Sequence, residues 1–130
     1  MVVTTGITFT YLIQIDNFMK KDKKYGGVLL VCTITNRVLL GQRSKKGTFP
    51  NTWSLFGGKI EEGETILEGI KRELFEETRI KNDDIVYEFF ETQWEMGYPY
   101  HFYIGYCEEE YKCFLNDENQ KKKLLASLYL

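Results

Sequence analysis

The segment at residues 57–80, GGKIEEGETILEGIKRELFEETRI, constrains the fold more than any other stretch of this 130-residue chain. Thr65 and Glu68 have the spacing of a helix capping box. Apolar residues then recur at helical spacing, at Ile66, Leu67, Ile70 and Leu74. Because this spacing places them along one stripe, the segment predicts an amphipathic helix over about residues 65–79.

The predicted helix carries an unusual amount of negative charge. Seven of the 19 acidic residues lie between positions 61 and 77, and Glu73, Glu76 and Glu77 crowd one side with Arg72 as the main cation. Each like-charge pair costs about 0.2–0.5 kcal/mol, and acids near the end of a helix oppose its dipole. A solvated face is the simple interpretation. A bound cation accounts better for both penalties, and oxygen-only ligands suit Mg²⁺ or Mn²⁺.

Glycines flank the acidic helix. Gly57 and Gly58 end a predicted strand, and Gly63 precedes the helix. Glycine permits a close backbone approach, and a loop against a helix N-terminus offers N–H donors. No Gly-Lys-Ser/Thr follows, so the loop is not a P-loop. Carboxylates and a divalent metal beside such a loop indicate phosphate-ester or phosphoanhydride chemistry.

Size and composition favour one compact α+β domain over residues 1–130. Apolar residues make up 43%, charged residues 28%, and the net charge is −2, so a long nucleic acid is not the expected partner. No signal peptide or membrane span is predicted, and a cytoplasmic location is expected. The three cysteines, Cys32, Cys107 and Cys113, are expected to be free thiols.

The rest of the chain predicts mainly strands. The continuous apolar run at 27–34 indicates a strand buried on both faces. The last segment, residues 117–130, can form an amphipathic helix with leucines on its inner side. The predicted strands are residues 7–15, 27–34, 38–43, 52–58, 85–94 and 98–107.

The acidic segment resembles the Nudix box, a glycine, five residues, a glutamate, seven residues, then Arg-Glu-aliphatic-any-Glu-Glu-any-Gly-aliphatic. The match runs from Gly58 through Glu64 and Arg72 to Ile80, and fails at Arg79, where the family has glycine. The flanking hairpin and the sequence WSLFGG also resemble the family. The resemblance implies an α/β/α sandwich with a mixed β-sheet and metal-dependent hydrolysis of a nucleoside diphosphate linked to another group.

The resemblance also implies roles for individual residues. The catalytic set is Arg72, Glu73, Glu76 and Glu77. The glutamates and the Gly58 carbonyl would bind Mg²⁺ (or Mn²⁺), and Arg72 would hold the glutamates by charge-assisted hydrogen bonds. Gly57 and Glu64 would support the glycine loop. A box glutamate, Glu95 or Glu91 is the candidate general base.

The substrate implied by WSLFGGKIEEGET is a nucleoside triphosphate of the MutT-like branch, such as 8-oxo-dGTP, cleaved to monophosphate and pyrophosphate. A dinucleoside polyphosphate, a nucleotide sugar and a non-catalytic nucleotide sensor are the alternatives, and a monomer or homodimer is expected. For the aromatic residues near these sites, Trp94 included, core packing is favoured over stacking on a base. The candidate substrate contacts are Arg43, Trp53, Phe56, Glu95 and Tyr98.

Arg79 leads to a separate expectation about the end of the helix. Arginine is a good helix former and adopts a left-handed conformation poorly. We therefore expect the helix to continue through Arg79, with Asn82 as its left-handed cap.

Overall fold

The computed structural model describes residues 23–43, 52–81, 83–113 and 124–129. The strand expected at 7–15 and the cap expected at Asn82 lie outside these residues. Within them the chain forms β1 (Tyr25–Cys32), β2 (Arg37–Arg43), β3 (Trp53–Ser54), β4 (Phe56–Lys59), α1 (Ile66–Thr78), β5 (Val86–Glu95), β6 (Tyr98–Cys107) and β7 (Leu124–Tyr129). Among the described residues, no helix is long and apolar enough to cross a bilayer.

The strands form one mixed sheet, as the resemblance to the Nudix family implied. Its main order is β3-β2-β1-β6-β5, with β1 parallel to β6 and the other pairs antiparallel. The other edge of β1 is shared, since β4 pairs with Tyr25–Val28 and β2 pairs with Leu30–Cys32. The predicted strand at 52–58 is therefore two short strands, and the second contains the glycine pair.

The core lies between α1 and one face of the sheet. Val28 and Leu30 of β1 point into it and meet Ile70 and Leu74 from the helix, all at most 1% exposed. Leu29 and Val31, on the opposite face of β1, are only half-buried. The expectation of a strand buried on both faces is therefore correct for the helix face alone. The three cysteines are free, as expected.

The start of the helix is as predicted, but its end is not. The Thr65 side chain accepts the Glu68 N–H, and the Glu68 carboxylate accepts the Thr65 N–H, which completes the capping box. The helix ends at Thr78, and Arg79 adopts the left-handed conformation with φ 65° and ψ 11°. The expected continuation through Arg79 is therefore wrong. The chain leaves the helix here because Ile80 turns back into the core, where it is 6% exposed.

The expected terminal helix is also wrong over the residues that the structure describes there. Leu124–Tyr129 is a strand, β7, paired antiparallel with β2. A short apolar run has no period long enough to separate a helix from a strand. The edge of β2 offered unpaired backbone groups, and pairing with it decides the outcome.

The β5–β6 hairpin has the two strands that the sequence predicted. Met96 and Gly97 connect them with φ values of 53° and 84°, a combination that matches the twist of a tight hairpin. A bulge at Phe90 shifts the register between the strands. β5 is paired on one side only in the described sheet, and most of its side chains are exposed.

Candidate active site

The glycine pair of β4 lies directly against the acidic helix. A Cβ atom added to Gly58 would lie 2.7 Å from the Glu73 carboxyl carbon, and one added to Gly57 would lie 2.0 Å from the Gly26 carbonyl oxygen. No side chain larger than a hydrogen atom fits at either position without displacing these groups. The two glycines thus let the β4 backbone approach both β1 and the helix.

Two glutamates of α1 are buried against this backbone. Glu73 is 5% exposed and Glu77 is 7% exposed. The Gly57 N–H donates to Glu77 Oε1 at 2.8 Å. Because a buried carboxylate is costly unless it is paired, such contacts are what permits these acids to lie inside. Nothing in the residue spacing pointed to the Gly57–Glu77 hydrogen bond, which joins two separate elements.

Arg72 is the centre of a network of charged groups. Its Nε and Nη2 donate to the two oxygens of Glu64 at 2.8 and 3.0 Å. Its Nη1 donates to Glu73 at 3.1 Å and to both oxygens of Glu76 at 3.2 Å, and Nη2 also donates to the Lys59 carbonyl at 2.9 Å. The predicted contacts of Arg72 with Glu73 and Glu76 are thus present. Glu64, followed by Glu73 and Glu76, raises the pKa of the guanidinium further above its ordinary value.

Glu64 links this network to the glycine-containing loop before the helix. Besides binding Arg72, it accepts the Glu61 N–H at 2.7 Å. The hydrogen bond from Arg72, reinforced by that N–H, holds the pKa of the Glu64 carboxyl below its usual value. A carboxylate that stays charged over a wider range of pH keeps the loop attached to the helix.

The donor atoms suit a magnesium ion, although they do not form a closed cage. In the ranges described, no three side chains of His, Cys, Asp or Glu lie close enough together to hold a metal. Glu77 is turned to Gly57, while Glu73 and Glu76 are turned to Arg72. Mg²⁺ is commonly bound through only one or two carboxylates, waters and substrate phosphates. The residues present therefore fit such an open site.

The predicted substrate-contacting residues have different surroundings in the structure. Phe56 is 0% exposed and belongs to the core, so its expected contact with substrate is wrong because it has no surface to offer. Trp53 is partly exposed on β3, and Glu95 is exposed where the hairpin turns. Tyr98 packs edge-on against Tyr25, with ring centroids 5.8 Å apart. The side chain of Arg43 lies outside the description.

Three further residues of the β5–β6 hairpin differ in their exposure and in their hydrogen bonds. Trp94 is 70% exposed, so its expected core packing is wrong. His101 Nδ1 lies 2.8 Å from Thr92 Oγ1, and burial, with a smaller contribution from Lys24, lowers the pKa of this histidine. Glu91 is exposed and accepts a hydrogen bond from the Gln93 amide at 2.6 Å.

Comparison with protein families identifies this arrangement. A model of the NUDIX domain matches residues 24–126, which include β1, the glycine strand and the acidic helix. The chain belongs to the Nudix family. The Nudix box of this chain is therefore the segment from Gly58 to Ile80, with arginine in place of its usual glycine at position 79.

Individual relatives of this Nudix chain align over part of their length. The mouse oxidized purine nucleoside triphosphate hydrolase is 51% identical over 49 residues, 38% of this chain and 31% of the mouse protein. An m7GpppN-mRNA hydrolase of Xenopus laevis is 40% identical over 75 residues, 57% of this chain and 25% of that protein. The chain thus spans less than a third of either relative.

Solved structures show the same fold at low sequence identity. A MutT/nudix family protein from Enterococcus faecalis has a TM-score of 0.68 at 17% identity, covering 99% of this chain and 56% of that one. A C. elegans Ap4A hydrolase has a TM-score of 0.65 at 17% identity, covering 82% of this chain and 78% of that one. These likenesses support the mixed-sheet Nudix fold.

Proposed function

We propose that this Nudix chain is a metal-dependent hydrolase that cleaves a phosphoanhydride bond in a nucleoside triphosphate, releasing monophosphate and pyrophosphate. One observation carries the proposal, namely the network in which Arg72 holds Glu64, Glu73 and Glu76 beside the Gly57–Gly58 backbone. A merely solvated acidic face has no reason to bury two of its carboxylates against glycines. A site prepared for a cation and phosphate groups does.

Glu73, Glu76, Glu77 and the Gly58 carbonyl are the groups that would hold Mg²⁺ or Mn²⁺. A bound ion of this kind supplies positive charge for the phosphate oxygens and lowers the pKa of a water. Glu76 is the carboxylate that solvent and substrate reach most easily, because its side chain is 42% exposed against 6% for Glu73.

The remaining residues keep these groups in position. Arg72 orients Glu73 and Glu76 by charge-assisted hydrogen bonds, and the Gly57 N–H orients Glu77. Glu64 anchors the loop through Arg72 and Glu61. Such preorganisation is a main source of rate enhancement in phosphoryl transfer. Among the described residues, Glu95 stays a candidate for the general base.

The choice of a nucleoside triphosphate, with an oxidised purine as first candidate, rests on the mouse relative and on the segment WSLFGGKIEEGET. A compound with two linked nucleotides is the second candidate. The Xenopus relative favours this candidate, because that protein is named as an m7GpppN-mRNA hydrolase and its alignment with this chain is longer than that of the mouse relative. Trp53 and Tyr98 offer aromatic surface to a base, and stacking on such surface tolerates either class.

The test of this proposal is a hydrolysis panel with the purified protein and Mg²⁺. The panel contains NTPs, 8-oxo-dGTP, Ap4A, a capped dinucleotide and a nucleotide sugar. We expect the highest kcat/KM for a nucleoside triphosphate, no activity in EDTA, and recovery with Mg²⁺ or Mn²⁺. Turnover that survives chelation contradicts the metal site. Preference for Ap4A or the capped dinucleotide transfers the proposal to the second candidate.

We predict that Glu77→Gln lowers kcat by at least about 10²-fold, the scale of losing a key electrostatic group. The amide oxygen of glutamine can still accept the Gly57 N–H, so the thermal midpoint is expected to change little. Glu62→Gln, at an exposed acid before the helix, is the matched control and is expected to keep wild-type turnover. Near-normal turnover of Glu77→Gln argues against this placement of the site.

A further inference from the structure

A cavity lies beside the acidic helix. It measures about 500 Å³ and opens between the C-terminal half of α1 and the start of β5. Its floor is formed by Ile80 and Ile85, both 6% exposed, and its walls include the rings of Phe75 and Tyr87. The other half of its lining is charged, and cavities of this size commonly bind small organic ligands.

The rim of this cavity is positively charged. Lys71 and Lys81 line it together with a single acid, Asp83. The Lys71 ammonium lies 5.0 Å from the centre of the Tyr87 ring, and neither lysine forms an ion pair with another described residue. Two exposed cations above an apolar floor offer complementary charge to an anionic ligand.

Nearby acids of the helix are already engaged elsewhere. The Glu68 carboxylate accepts the Thr65 N–H in the capping box, and the Glu76 carboxylate accepts two hydrogen bonds from Arg72. Arg72 also lines the cavity, but its guanidinium points into the carboxylate network. The charge that faces the cavity is therefore mainly that of the two lysines.

We propose that this cavity is a second nucleotide site, which holds a mononucleotide with its base against Phe75 and its phosphate at Lys71 and Lys81. Phe75 is 38% exposed, so part of its ring is available to a planar base, and stacking on aromatic rings is accepted by any base. Lysine ammonium groups bind phosphate as point charges. The site goes beyond the proposed hydrolytic function because it uses neither Gly58 nor the buried glutamates.

The test is titration calorimetry of the whole chain with AMP in EDTA, which removes the contribution of a bound metal at the carboxylates. We expect one AMP to bind, with Lys71→Glu and Lys81→Glu each weakening its Kd at least about 10-fold, the effect of about 1.4 kcal/mol. Lys23→Glu, an exposed charge reversal outside the cavity, is the control and is expected to keep the wild-type Kd.

Two further titrations locate the ligand. Glu77→Gln removes a negative charge from the carboxylate site and is expected to leave the Kd for AMP unchanged, whereas tighter AMP binding by this variant places AMP in the carboxylate site and overturns the proposal. Inorganic phosphate is expected to bind at least about 10-fold more weakly than AMP. Equal affinities for phosphate and AMP exclude a contribution from the base and overturn the proposal. The absence of AMP binding to the wild type also overturns the proposal. Lys71→Met replaces Lys71→Glu if the charge reversal alters the circular dichroism spectrum.

Discussion

At the scale of single residues, Arg79 shows what a departure from the family pattern costs. The family glycine would adopt the left-handed conformation freely, whereas this arginine adopts it with φ 65° at a cost of about 1 kcal/mol. Its guanidinium lies 5.3 Å from the centre of the Phe75 ring, a contact that offsets part of this cost. Position 79 ends the helix with either residue, because the next residue must enter the core.

We predict that Arg79→Gly raises the free energy of unfolding by about 0.5–1 kcal/mol, since glycine relieves the strain at positive φ. A thermal or urea melt measures the change. Arg79→Ala is the control, because alanine has a Cβ and gains nothing while losing the contact with Phe75. A lower midpoint for Arg79→Gly than for wild type contradicts the left-handed conformation at Arg79 and supports a helix that continues through this residue.

At the scale of elements, the N-terminus of α1 is the most locally determined part of the fold. Thr65 and Glu68 bond reciprocally over three residues, so no distant contact is needed to begin the helix. The backbone N–H of Thr65, followed by its side chain, lowers the pKa of the Glu68 carboxyl. The charged form of Glu68 is therefore favoured in the folded state over the unfolded one.

This pKa shift predicts how the stability of the helix start depends on pH. A lowered folded pKa contributes stability above the unfolded value, near 4.5, and the contribution is lost as the pH falls through the folded pKa. We expect Glu68→Gln to lower the urea midpoint at pH 7 and to have little effect at pH 3. Glu62→Gln, which lies outside the capping box, is expected to show no such pH dependence. A difference for Glu68→Gln that is equal at both pH values refutes this role.

At the scale of the whole molecule, the helix-covered face of the sheet and the strand β5 have different surroundings. The helix covers the face that carries Val28 and Leu30. The edge strand β5 instead exposes several large apolar side chains, including Phe90 at 62% and Trp94 at 70%. Aromatic content alone therefore does not indicate which rings form the core of this chain.

We predict a large contrast between two phenylalanines. Phe56→Ala is expected to cost about 3–5 kcal/mol of unfolding free energy, because Phe56 is fully buried and its loss leaves a cavity. Phe90→Ala is expected to change it by less than about 0.5 kcal/mol, the usual range for exposed positions. Urea denaturation of both variants measures the difference. A cost above 2 kcal/mol for Phe90→Ala shows that this ring is covered.

The features that could be predicted from the sequence are those with local causes. The capping box sets the start of α1, the apolar runs indicate β1, β2, β5 and β6, and a turn containing glycine connects the last two. The Nudix box also identified the carboxylates and their arginine, because a helical spacing of four residues places Arg72 beside Glu76 and Glu73 is its neighbour in the chain. For these features, residues close in sequence supply the interacting groups.

The features that only the tertiary structure decided depend on segments far apart in the chain. The helix ends at Thr78 because Ile80 is buried, and residues 124–129 form a strand because β2 offers an edge for pairing. Glu73 and Glu77 are buried because β4 brings two glycines against α1. The sequence by itself determined which groups the candidate site contains. Long-range packing decided which of them are buried and which partners they bind, since burial and pairing depend on neighbours that no local pattern specifies.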